Sequence, residues 1–132
     1  MINIVVVSHG NLAEQLIKSA EMIAGEAENV YSVTLQPGDD PAAFGQKVDA
    51  VMEEIGDQET LILIDIFSGT PYNVTARQVL KDQVECITGA NLPMLIEAML
   101  SREDTTVSEL AESISNVGAD SVKNLKPLLK RK

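Results

Sequence analysis

The runs Ile2-Asn3-Ile4-Val5-Val6-Val7 and Leu61-Ile62-Leu63-Ile64 are apolar almost without alternation, and this pattern constrains the fold more than any other feature. A strand of this kind has no face to give to water, so both faces must be covered. Between such runs lie amphipathic stretches with one-turn spacing. Strand and helix in alternation predict an α/β fold, an open and mainly parallel sheet with helices on both faces. Aromatic residues make up 3% of the chain and Trp is absent, so Val, Ile, Leu, Ala and Met must build the core. With 132 residues and 45% apolar content, a single domain over 1–132 needs neither disulfide nor metal.

The first run ends in Ser8-His9-Gly10, and Asn11 is the expected N-cap of a helix with Leu12, Leu16, Ala20 and Ile23 as its stripe and Gly25 as its stop. Val30–Leu35 alternates apolar with Ser32 and Thr34, an edge-strand pattern. After the turn Gln36-Pro37-Gly38-Asp39, Asp40 and Pro41 open a helix carrying Phe44, Val48, Val51 and Ile55. The third strand, residues 61–66, carries Asp65 and leads into a helix capped by Ser68 or Thr70 with Pro71 as its first residue. Val84–Thr88 is the fourth strand, and Cys86 within it is expected to be a buried strand residue. A helix over 94–100 follows, and the capping box Thr106-x-x-Glu109 starts a last helix that runs to Gly118. Residues 121–126 read as a short, exposed strand and 121–132 as that strand plus a basic tail with Lys123, Lys126, Lys130, Arg131 and Lys132.

If strand two pairs with one edge of strand one and strand three with the other, right-handed crossovers give strand order 2-1-3-4, with the switch point between strands one and three. In open sheets of this type ligands bind at the carboxyl ends of the strands beside that point. His9, the only histidine, and Asp65 both fall there. A lone histidine can be a packing residue, but strand-end placement, the following Gly10 and a carboxylate at the matching place on another strand agree on a reactive one. Asp65 could hold one imidazole nitrogen and leave the other as the nucleophile. Unpaired N–H groups around Gly69 and Thr70 at the next helix start offer an anion site, which a phosphoryl group fits.

Other chemistries find less support. The net charge of −10 argues against a nucleic-acid partner. One histidine and one cysteine on different strands supply no metal-ligand spacing. No nucleophile elbow surrounds Ser8 or Ser68, and no phosphate-binding loop or dinucleotide fingerprint is present, so no cofactor is expected. Without a leader-like opening or a bilayer-length apolar stretch, the expected location is the cytoplasm.

Ser8-His9-Gly10, Gln36-Pro37-Gly38-Asp39, Asp65-Ile66-Phe67-Ser68-Gly69-Thr70-Pro71-Tyr72-Asn73 and Gly89-Ala90-Asn91-Leu92-Pro93-Met94-Leu95 together resemble the IIA component of mannose-family sugar phosphotransferase systems. The resemblance implies a phosphohistidine carrier. His9 would accept a phosphoryl group from the carrier protein HPr and pass it to a IIB component, which phosphorylates sugar entering through membrane IIC and IID. It implies that Asp65 orients His9 and that Gly10, Ser68, Gly69 and Thr70 surround the phosphoryl group, with Thr70 standing where the family often has Ser. It also implies a homodimer in which the strand after residue 120 is exchanged. Two alternatives stay open at this point: the phosphotransferase subunit of phosphoenolpyruvate-dependent dihydroxyacetone kinase, and a regulatory module that senses phosphorylation without passing it on.

Overall fold

The computed structural model describes residues 1–130. Its strands are β1 (Asn3–His9), β2 (Val30–Leu35), β3 (Thr60–Ile64) and β4 (Val84–Thr88). They form one sheet in the order β2-β1-β3-β4, every pair parallel. The helices are α1 (Leu12–Ala24), α2 (Pro41–Ile55), α3 (Gly69–Thr75), α4 (Leu92–Ser101), α5 (Val107–Asp120) and α6 (Leu125–Leu129), with a 3-10 turn at Ala76–Leu80 continuing α3.

The period of two along β1 and β3 assigns each residue to a face. Ile2, Ile4, Val6, Leu61 and Leu63 pack with Ala13 and Ala20 of α1, Met94, Leu95 and Ala98 of α4, and Leu110 and Ile114 of α5. Val5, Val7, Ile62 and Ile64 pack on the other face with Phe44, Val48, Met52 and Ile55 of α2. Each fully buried Ile, Leu or Val side chain contributes about 1.5–3 kcal/mol, so the unalternating strands anchor the fold.

Asp40 caps α2 as expected, accepting from the Ala43 N–H at 2.8 Å. The α5 capping box is also formed, with the Glu109 N–H donating to Thr106 Oγ1 at 3.1 Å and the Thr106 N–H donating to Glu109 Oε1 at 3.3 Å. α1 departs from its expected form. Asn11 makes no capping bond, and Ser8 Oγ instead accepts from the Ala13 N–H at 2.8 Å. The helix is thereby turned so that Ala13 and Ala20 lie buried on the sheet while Leu12 and Ile23 are exposed. Alanines at the contact let the helix approach closely.

Gly118 does not end the last helix. α5 runs two residues further, and Gly118 sits where a Cβ would come within 2.7 Å of Met94 Sδ on α4. Its purpose is helix contact. Residues 121–126 are not a strand: the chain turns after α5, and α6 begins at Leu125. Ser121 Oγ donates to Gly118 O at 2.7 Å, and Asn91 Nδ2 donates to Ser121 Oγ, which ties the segment to α5 and α4 rather than to the sheet. Pro127 falls in the first turn of α6, where its missing N–H costs nothing, so a local helix forms without a ladder partner. The tail residues Arg131 and Lys132 lie outside the described residues.

Cys86 is half-buried on β4, and burial, aided by the charge of Glu85, pushes its thiol up to about 12. It stays protonated at neutral pH.

Arg102 carries no signal in the sequence. Only 4% exposed, it donates from Nη1 to Ile2 O at 3.1 Å and Asn29 O at 3.3 Å, and from Nη2 to Glu28 O at 2.6 Å. Burial lowers its pKa, and nearby Glu103 and Glu28 act in the opposite direction. One guanidinium therefore joins the lead-ins of β1 and β2 to the end of α4. Arg102→Leu is expected to destabilise the fold by about 3 kcal/mol, because charged donors to three carbonyls are lost together. Urea unfolding measures this, and a loss under about 1 kcal/mol would show that water replaces the guanidinium.

Candidate functional site

β1 and β3 are hydrogen-bonded neighbours, with Val7 opposite Ile64 and the Asp65 N–H donating to Val7 O at 3.0 Å. β3 ends at Ile64, so Asp65 is the first residue beyond the strand. This places Asp65 beside the last residue of β1, and the two expected partners meet although they are 56 positions apart in the chain. Alternation along β1 also fixes direction: Ser8 follows Ile4 and Val6 toward α1, whereas His9 follows Val5 and Val7 toward the side of α2 and α3.

Asp65 Oδ2 accepts twice from His9, from the backbone N–H at 2.9 Å and from ring Nδ1 at 2.7 Å. Asp65 Oδ1 accepts from the Ile66 N–H at 3.0 Å. A carboxylate only accepts, so the proton in the ring contact sits on Nδ1, and in the neutral ring Nε2 carries the free lone pair. The Asp65 side chain is 8% exposed and that of His9 is 45% exposed. The orienting group is buried and the reactive ring faces out.

Nε2 lies against Gly69, the first residue of α3, with φ +84°. A Cβ there would stand 2.9 Å from Nε2 and 3.0 Å from Cε1. Only glycine leaves this edge of the ring open. Ser68 is the residue before α3 but makes no side-chain capping bond, and Thr70 lies inside the first turn, half-buried. Neither hydroxyl takes part in the His9–Asp65 hydrogen bonds. Gly10, with φ +55°, turns the chain from β1 into α1 and donates its N–H to Leu35 O at 2.8 Å.

Two features of the rim go beyond what the sequence predicts. Gln36 Nε2 donates to Asn11 Oδ1 at 2.8 Å and to Thr34 Oγ1 at 3.0 Å, so Asn11 is engaged across the sheet rather than as a cap. Phe67 stands 72% exposed beside the site and is braced edge-on by Tyr72, with ring centroids 4.9 Å apart. An aromatic directly after Asp65-Ile66 is the available signal for the second. The first depends on strand pairing alone. A surface depression of about 460 Å³ lined by Asp49, Glu53, Asp57, Gln78 and Lys81 lies at the end of α2 remote from His9 and shares none of these residues. No helix of the described residues is long and apolar enough to cross a membrane.

Residues 3–115 match the family model described as PTS system fructose IIA component. The chain is similar to the PTS system mannose-specific EIIAB component of Escherichia coli (strain K12), 38% identical over 128 residues, covering 95% of this chain and 40% of that protein. It thus spans about 40% of the length of that two-part relative. The PTS system fructose-specific EIIA component of Bacillus subtilis (strain 168) is 32% identical over 123 residues, covering 92% of this chain and 84% of its own. In structure, the chain superposes with a TM-score of 0.87 on the mannose/sorbose specific IIA subunit of the phosphotransferase system from Enterococcus faecalis, at 32% identity and 93% coverage of each.

Proposed function

This chain belongs to the mannose-family IIA components of sugar phosphotransferase systems, and from that premise we propose that it is a phosphohistidine carrier that accepts from HPr on His9 and passes the group to a IIB component. The observation that carries this reading is the half-exposed His9 ring held through Nδ1 by the buried Asp65 carboxylate, which leaves Nε2 as the ring nitrogen without a partner in that contact. The Nε2 lone pair attacks the phosphorus of phosphorylated HPr. As the new N–P bond forms, the bond to the donor imidazole breaks and its electron pair leaves with the donor ring. His9 keeps its Nδ1 proton and becomes a cationic ring bearing the phosphoryl group, which the Asp65 carboxylate stabilises. Passage to IIB is the same exchange in reverse, with His9 now the leaving group.

The roles proposed for the surrounding residues follow from position. Gly69 leaves room at Nε2, and the backbone N–H groups at Gly69 and Thr70 at the start of α3, together with the Thr70 and Ser68 hydroxyls, are the donors we assign to the phosphoryl oxygens. Gly10 allows the turn that presents His9. An exposed ring on an open rim beside apolar Phe67 and Ile66 suits a protein donor better than a small molecule, which requires an enclosing pocket. No metal or nucleotide is invoked, since alignment and amide donors are enough for exchange between histidines. We place the carrier in the cytoplasm, where IIB would pass the group to sugar entering through the IIC and IID membrane components. Uncovered Val122, Leu125 and Leu129 support a homodimer, and light scattering that returned only monomer would remove that part of the reading.

Incubation with phosphoenolpyruvate, enzyme I and HPr, with and without a IIB protein, tests the function. Acid-labile label on this chain that is chased off by IIB is the expected result. Label that IIB never removes would leave only a phosphorylation sensor, and label requiring ATP without HPr would end the carrier reading. Asp65→Asn is expected to slow acceptance about 10- to 100-fold with the fold intact, because an amide can hold the ring but cannot stabilise its positive charge. Rapid-quench labelling measures the rate, and an unchanged value would take Asp65 out of the mechanism.

A further inference from the structure

Resting on the phosphocarrier reading, we propose that Ser8 is a positioning residue for phosphoryl transfer, its hydroxyl bracing the turn that carries His9. Ser8 is fully buried, and its Oγ donates to Gly10 O at 3.2 Å while accepting from the Ala13 N–H at 2.8 Å. One hydroxyl thus spans His9, tying the residue after it to the first turn of α1. The same short stretch is held from outside by the His9 N–H on Asp65 Oδ2, the Gly10 N–H on Leu35 O and Asn11 Oδ1 under Gln36. Of these, only the Ser8 bridge acts from the α1 face.

The reason such bracing matters is the close approach of the His9 ring to the start of α3. Nε2 comes so near Gly69 that a Cβ there would stand 2.9 Å away, so the opening at Nε2 depends on where the turn holds the ring relative to Gly69. Gly10 at φ +55° has no side chain to resist relaxation, so the neighbouring hydroxyl supplies the restraint. Burial and full engagement of Oγ also exclude Ser8 as a nucleophile in its own right.

A plain capping role for α1 would make Ser8 equivalent to any other helix cap. Thr106, which caps α5, provides the control. Transfer from phosphorylated HPr is measured for the wild type, Ser8→Ala, Ser8→Cys, Ser8→Thr and Thr106→Ala, with melting temperatures for each. Ser8→Ala is expected to lower the transfer rate constant about 10- to 100-fold with the half-saturating HPr concentration changed less than about threefold. Ser8→Cys, close in size but a weak hydrogen-bonding group, should be slowed at least about tenfold even where Ser8→Ala folds poorly. Ser8→Thr restores the hydroxyl and should transfer within about threefold of the wild type. Thr106→Ala should lower the melting temperature and leave transfer unchanged. Wild-type rates in folded Ser8→Ala or Ser8→Cys, or equal slowing in Thr106→Ala, overturn the positioning role while the carrier reading stands. No label on the wild type overturns both.

Discussion

His9→Ala is expected to take up no acid-labile phosphoryl label from HPr, at any protein concentration or time that suffices to label the wild type fully. The expectation is absolute rather than graded, because the chain has no second histidine to receive the group. The fold should survive. The His9 side chain is 45% exposed, and Asp65 keeps the backbone N–H groups of residue 9 and Ile66 as donors, so unfolding free energy should change by less than about 1 kcal/mol. Mass spectrometry under alkaline conditions reads the label and circular dichroism the fold. Retained label in a folded His9→Ala protein would place the phosphoryl group elsewhere and dismantle the proposed mechanism.

Gly69→Ala should come next in severity, although the change is one methyl group. Its Cβ would stand 2.9 Å from Nε2, inside van der Waals contact, and the residue would be held at φ +84°, where a side chain is strained by about 1–2 kcal/mol. Either the ring or the start of α3 must move. Displacement of a reacting atom by this much is worth about 100-fold in rate, so phosphoryl acceptance should fall by roughly that factor while stability drops only modestly. Rapid-quench labelling and thermal melting separate the two effects. A Gly69→Ala variant that transferred at the wild-type rate would show that Nε2 approaches the donor from another side.

Much of this architecture is legible in the amino-acid sequence. The unalternating runs at Ile4 to Val7 and Leu61 to Ile64 require a covered sheet, and the Asp40-Pro41 and Thr106-x-x-Glu109 signatures mark two helix starts that the structure reproduces. These signals succeed because they are local: a cap is a bond across three residues, and a buried strand announces itself by composition. Expectations fail where a distant segment intervenes. Asn11 looks like a cap, but the competing acceptor is Ser8, already buried by strand alternation, and Asn11 is drawn across to Gln36. Gly118 resembles a helix stop, yet Met94 of α4 occupies the space beside it. Residues 121–126 have strand-like composition, yet the segment is tied to α5 and α4 and runs into α6 instead of pairing with the sheet.

By itself, the sequence determined the fold class and singled out His9 and Asp65 as the candidate chemical groups, because these depend on residue type and local pattern, whereas the strand order 2-1-3-4 followed from it only once strands two and three were taken to flank strand one, a pairing the structure supplies. What only the tertiary structure decided was how these groups are held. The double acceptance by Asp65 Oδ2, the contact of Nε2 with Gly69, the Ser8 bridge to Gly10 and Ala13, and the Arg102 clamp on Ile2, Glu28 and Asn29 are set by distances between chain segments or by the path of a turn. Periodicity tells which face a side chain takes, but the register of β1 against β3 and the depth at which α1 and α3 start are fixed only when the core packs.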